Sequence, residues 1–308
     1  MFDSHAHLQD RRFDTCREAV LAAAAAAGVR GVCSCGTSPE DWGKLEKLGE
    51  NIQQPTSNNQ HPTNAQKGDS PLDVGCSMLD VRCSMLDVGR SPLVILPAFG
   101  VHPWYAGHLP PDWSERLEDL LMRHREAPVG EIGLDGLRDD PPRDVQRAVL
   151  EAQLGLAARL GRPVVLHGAR AWGELLEAVK PFAPRLPGFV AHAFGGSEDL
   201  LRQVVALGGY VSFAGSVCNP EARRVRAAAA MAPSGQLLIE TDAPDMRPPH
   251  PESGTRLPDP GSRIPGEINH PANLVYVARA VAELRGVPLE EIAALTEANA
   301  RQVYGVIV

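Results

Sequence analysis

The chain has 308 residues, 44% of them hydrophobic, enough for one large buried core or two smaller ones. A formal net charge of −8 argues against a broad basic face of the kind that grips long nucleic acid. Its six cysteines form no framework of close, regular pairs, no apolar run approaches bilayer length, and no secretory leader is visible, so the expected compartment is the cytoplasm.

The first predicted strand is Met1–His5. In an extended strand, residues two apart point to the same side, so His5 and His7 can aim two imidazoles at one point. An alanine-rich helix over Thr15–Ala27 follows, stopped by Gly28. The second strand is Val29–Cys35, in which Cys33 and Cys35 share a face and read as packed thiols. Ser38-Pro39-Glu40 then opens a helix, with proline at a favoured early position.

After Gly49 the periodicity breaks, and residues 51–91 read as an inserted, poorly structured segment. Asn51–Ser70 is rich in Gln, Asn, Pro and Thr. Two copies of a seven-residue unit follow, Val74–Asp80 and Val81–Asp87, too few for a solenoid or a stable coiled coil. Deleting Gln53–Arg90 is expected to leave metal binding and activity intact.

Regularity returns with a third strand, Leu93–Gly100, and a helix over Trp113–Arg125. The fourth strand, Val129–Gly133, carries Glu131, and a long helix spans Asp144–Leu160. A fifth strand, Pro163–His167, precedes a helix over Trp172–Val179. The sixth, Gly188–His192, precedes a helix that starts at Ser197. The seventh, Gly209–Phe213, precedes a helix over Pro220–Met231, and the eighth is Leu237–Asp242. The Pro- and Gly-rich stretch Ala243–Glu267 reads as a wall or lid. Helices over Pro271–Arg285 and Pro288–Gln302 close the chain. This alternation predicts an α/β fold, a (β/α)₈ TIM barrel in one domain over residues 1–308, interrupted between strands two and three. An open doubly wound sheet would want a glycine-rich turn where His5-Ala6-His7 stands.

His5, His7, Glu131, His167, His192 and Asp242 all fall at the C-terminal ends of predicted strands, which meet on one face of a barrel. Four imidazoles and two carboxylates suit zinc, manganese or a similar divalent ion. Six donors exceed one closed tetrahedral site, so the set suits two ions bridged by a carboxylate. His102, in Gly-Val-His-Pro, is a candidate to contact substrate or polarise the scissile group. Asp135 is a weaker candidate, with a cap or salt-bridge role as the alternative, and Asp245, three residues after Asp242, is weaker still.

With these segments in view, the chain resembles the TatD family of metal-dependent hydrolases, within the amidohydrolase-like barrels. The matching stretches are Asp3–Leu8, Gly100–Pro103, Val129–Asp135, Val164–His167, Ala191–Ser197, Ile239–Pro244 and Asn299–Arg301. The resemblance implies that His5, His7 and Asp242 hold one ion, that His167 and His192 hold a second, and that Glu131 bridges them. It implies Mg, Mn or Zn as cofactor, Asp242 as the group that orients or deprotonates water, and phosphodiester bonds of DNA ends as substrate. The same ions could serve an esterase, lactonase or deacylase acting on a small substrate. No membrane and no obligate protein partner is implied. Two departures stand out. Ala169 occupies the usual place of an arginine, leaving Arg170 as that loop's phosphate contact. Asn269-His270-Pro271 stands where the family often has Asn-Glu-Pro.

Overall fold

Eight short parallel strands follow one another in chain order in a computed structural model. They are β1 (Phe2–Ala6), β2 (Gly31–Cys35), β3 (Val94–Ala98), β4 (Val129–Asp135), β5 (Val164–Ala169), β6 (Phe189–Ala191), β7 (Gly209–Phe213) and β8 (Leu237–Ile239). The structure describes residues 1–53, 93–249 and 268–305. The seven-residue repeat and most of the proposed lid lie outside the described residues.

Ladders order the strands as β1-β2-β3 and β4-β5-β6-β7-β8. Single parallel bridges join the two sets at both seams, Phe99 to Val129 and Ala6 to Ala243. At the second seam the Asp242 N–H donates to the His5 carbonyl (3.0 Å), and the His7 N–H donates to the Ala243 carbonyl (2.7 Å). The strands thus run in a ring, as expected of a (β/α)₈ barrel.

Helices α1 (Arg17–Ala26), α2 (Trp42–Gln53), α3 (Trp113–Arg123), α4 (Arg143–Leu160), α5 (Trp172–Val179), α6 (Glu198–Ala206), α7 (Arg223–Met231), α8 (Leu274–Arg285) and α9 (Leu289–Tyr304) accompany them. Their inward faces follow helical spacing. In α3, for example, Leu117, Leu120 and Leu121 are buried. Burying each such leucine contributes roughly 1.5–3 kcal/mol. The start of α6 follows the sequence expectation, because the Ser197 hydroxyl accepts the Leu200 N–H, with Glu198 and Asp199 in the first turn. α2 runs to Gln53, so helix reaches past the expected start of the insertion at residue 51.

The core has two layers. One cluster, including Phe2, Leu96, Val165, Val190, Tyr210 and Leu238, joins Val303 and Tyr304 of α9. The Tyr304 hydroxyl donates to the Ser4 carbonyl at 2.8 Å. Cys33 and Cys35 belong to this cluster as packed thiols, their sulfurs 3.9 Å apart. A larger cluster unites residues of the strands with those of the surrounding helices.

Several strand ends shift from expectation, and two of these shifts bear on the site. β4 extends two residues further, to Asp135, and β8 stops at Ile239 rather than Asp242. The shortening has a visible cause. Asp3 accepts the Thr241 N–H (2.9 Å), Asn269 donates to the Thr241 carbonyl (2.8 Å), and Asp242 takes a left-handed φ of 53°. Side chains therefore take over from a ladder at the end that carries Asp242.

Candidate metal centre

Glu131 lies on β4 between two glycines that let the strands crowd together. A Cβ at Gly130 would stand 2.7 Å from the Val165 Cβ, and one at Gly133 would overlap the His167 carbonyl. Glycine at both positions lets β4 lie against β5 closely enough to bring Glu131 to His167.

Each oxygen of Glu131 faces its own set of donors. Oε2 is 3.3 Å from His5 Nε2 and 3.4 Å from His7 Nε2. These two nitrogens are 3.2 Å apart, and they lie 3.5 and 3.6 Å from Asp242 Oδ1. Ligands held about 2.0–2.1 Å from a tetrahedral ion stand roughly 3.3–3.4 Å from one another. The donor spacings on this side match the edges of such a polyhedron, and the residues fit a divalent cation. On the other side, Oε1 is 2.9 Å from His167 Nδ1 and 2.8 Å from His192 Nε2. His102 Nε2 stands further off, at 3.5 Å. The structure therefore gathers all six expected ligand residues, with His102 beside them. Among the described residues, the donor groups compact enough for an ion are His5–Glu131–His192, His5–His7–Asp242 and His102–Glu131–His167.

Outer partners fix two of the ligand rings, His7 and His167, and a carboxylate stands near a third. His7 Nδ1 donates to the Cys35 carbonyl at 2.8 Å, which leaves Nε2 facing the centre. His167 Nε2 is 3.0 Å from Asp135 Oδ2, and His192 Nδ1 is 3.4 Å from Glu240 Oε1. Glu240 is itself anchored by the Ala193 N–H at 2.6 Å. His102 differs, because its Nδ1 accepts the Trp104 N–H at 3.2 Å. A neutral ring with that acceptor carries its proton on Nε2, the atom that faces the site.

Charge follows this layout. Burial pulls the His7 imidazole down, but Asp242 and Glu131 outweigh burial and leave it raised to about 9. Burial also works against a charged His192, and the Glu131 and Glu240 carboxylates overcome it, raising the ring well above its ordinary value. For His102 burial dominates and pushes the imidazole well below its usual range. Burial works to raise the Glu131 carboxyl, yet His192, His102 and His5 hold it well below the usual carboxylate range.

Arg170 is not drawn in. It lies exposed just past β5 with a φ of 49°, and no side-chain bond ties it to the centre among the described residues. The sequence left Glu240 without a role and gave Asp135 only a weak claim. The available signal was a carboxylate at the end of an otherwise apolar strand, which is costly to bury without a partner.

Comparison with known proteins agrees with this architecture. The family model for TatD related DNase matches residues 2–305. An enzyme named 3'-5' ssDNA/RNA exonuclease TatD from Edwardsiella piscicida is 36% identical over 206 residues, covering 67% of this chain and 76% of its own. An uncharacterized metal-dependent hydrolase, YabD, from Bacillus subtilis is 30% identical over 210 residues, covering 68% and 77%. The crystal structure of YJJV, a TatD homolog from Escherichia coli, superposes with a TM-score of 0.78 at 29% identity, covering 100% of this chain and 98% of that one. With a family match that runs almost from end to end, this chain belongs to the TatD related DNase family.

Proposed function

We propose that the protein is a nuclease that hydrolyses phosphodiester bonds of DNA, using two divalent ions bridged by Glu131. The observation that carries this reading is the division of Glu131, one oxygen toward His5, His7 and Asp242, the other toward His167 and His192. In this reading His5, His7 and Asp242 hold one ion, His167 and His192 the other, and Mg²⁺, Mn²⁺ or Zn²⁺ can serve. Such a pair, when bound, acidifies water and offsets the charge of a phosphoryl group.

The chain's own groups do the rest. The Asp242 side chain is 13% exposed against 2% for Glu131, so it is the better placed carboxylate to take a proton from attacking water. Burial raises the Asp242 carboxyl, but His7, His192 and His5 hold it low, so it is ionised and able to accept at neutral pH. His102 offers its Nε2–H to an oxygen of the phosphate, where negative charge grows as the bond breaks. Relatives named as 3'-5' ssDNA/RNA exonucleases support single strands as the substrate and the 3′ end as the starting point. The free thiols Cys16, Cys33, Cys35 and Cys218 support a reducing compartment, the cytoplasm. Among the described residues no helix is long and apolar enough to cross a membrane.

The test is a panel with each metal in turn, on 5′-labelled single-stranded DNA, duplex DNA, RNA, and model esters and lactones. A metal-dependent ladder shortening from the 3′ end is expected, abolished in His5→Ala and Glu131→Ala. Turnover of esters or lactones without cleavage of any polynucleotide overturns the nuclease reading in favour of a small-substrate hydrolase.

A further inference from the structure

We infer that Trp104, backed by Arg138, is a stacking site for an unpaired nucleobase next to the scissile phosphate. This inference rests on the nuclease reading and adds to it how a strand is recognised. Large apolar side chains are exposed at five described positions, and three of them, Trp104, Tyr105 and Leu137, lie on the loops that follow β3 and β4. These are the loops that flank His102 and Asp135. Trp104 is 39% exposed although its one polar side-chain atom is already satisfied.

The ring is fixed to the centre by a single oxygen. Asp135 Oδ2 accepts the Trp104 indole N–H at 2.7 Å and faces His167 Nε2 at 3.0 Å. The Trp104 ring centroid is 4.8 Å from that of His102 and 6.5 Å from that of His167. A base resting on the indole is therefore about one nucleotide's reach from the donors around Glu131. The Arg138 guanidinium carbon lies 3.7 Å from the indole centroid, which stiffens the ring and sets a positive charge beside it. One more guanidinium borders the same loop. A Cβ at Gly136 would meet that of Arg143 at 2.9 Å. An aromatic face beside guanidinium groups is the usual way to hold single strands, because every base has a π-face and every nucleotide a phosphate. A base inside a duplex cannot offer its face, so the platform selects unpaired ends.

Two variants separate stacking from the Asp135 bond. Trp104→Phe and Trp104→Leu both lose the indole N–H, but only Trp104→Phe keeps an aromatic face. Cleavage of a single-stranded oligodeoxyadenylate is compared with hydrolysis of bis(p-nitrophenyl) phosphate, as the ratio of kcat/KM values. We expect Trp104→Leu to lower that ratio about tenfold, the size of one base–aromatic stack, and Trp104→Phe to stay within about threefold of wild type. An abasic spacer at one position near the 3′ end should cost the wild type a similar factor and cost Trp104→Leu nothing further. An unchanged ratio in Trp104→Leu, an equal fall in both variants, or a wild type indifferent to the spacer at every position overturns the inference while leaving the nuclease reading standing. A wild type that cleaves no oligonucleotide overturns both.

Discussion

Glu131 sits where two donor sets meet, and its loss should be felt on both sides. Glu131→Gln keeps the shape but removes the charge that all of the surrounding imidazoles face. We expect at least one bound ion per chain to disappear and diester turnover to fall by about 100-fold or more, checked by elemental analysis beside kinetics. Asp135 acts one step out, through the His167 ring. Asp135→Asn should weaken metal affinity by about 10–100-fold, read by calorimetric titration, with the fold retained. The imidazoles also make a statement about pH. In protein stripped of metal, His7 has its pKa raised to about 9, above an ordinary 6.5. Its contribution to stability is whole below about pH 6.5 and is lost as the pH climbs through about 9. Asp3, whose burial outweighs its Thr241 bonds and raises it to about 8, acts in the same direction, since the unfolded carboxyl ionises first. Melting of chelator-treated protein should therefore fall between about pH 6.5 and 9, whereas metal binding, which displaces the His7 proton, should strengthen over the same range. A stripped protein whose melting point rises across this window would contradict the assignment.

At the scale of elements, the Gly130–Gly133 stretch sets how closely β4 and β5 lie. Gly133→Ala forces a methyl against the His167 carbonyl, a main-chain atom held in a ladder. A cost of roughly 1–3 kcal/mol is expected in urea denaturation, with loss of the ion held by His167 at the same time. Much of this layer can be read from the chain. Strand ends carrying His5, His7, Glu131, His167, His192 and Asp242 follow from runs of apolar residues broken by one ligand type. The early end of β8 does not, because Asp3 and Asn269, distant in sequence, supply the bonds that replace its ladder. The place of Arg170 is hidden for a similar reason, since a left-handed φ at a non-glycine residue is set by tertiary context. Glu240 looks like a strand residue among others until the fold brings it to His192.

For the whole molecule, alternation of strand and helix predicts the barrel, and the ring of eight strands is what the structure contains. The stretch between α2 and β3 is a separate matter. Removing residues 54–90 should leave metal content and diester turnover within about twofold of the full chain, since the donors gathered among the described residues all lie outside that stretch. Loss of metal from that variant would show that the stretch supports the barrel. The seam between first and last strands has one more consequence. The bonds that close the ring there run from Asp242 to His5 and from His7 to Ala243, so the circle and the first donor set are completed together. His5 and His7 stand far from Asp242 in the sequence, so neither part alone holds this donor set. A polypeptide lacking either part therefore loses a bond of the seam and a member of the donor set in one stroke.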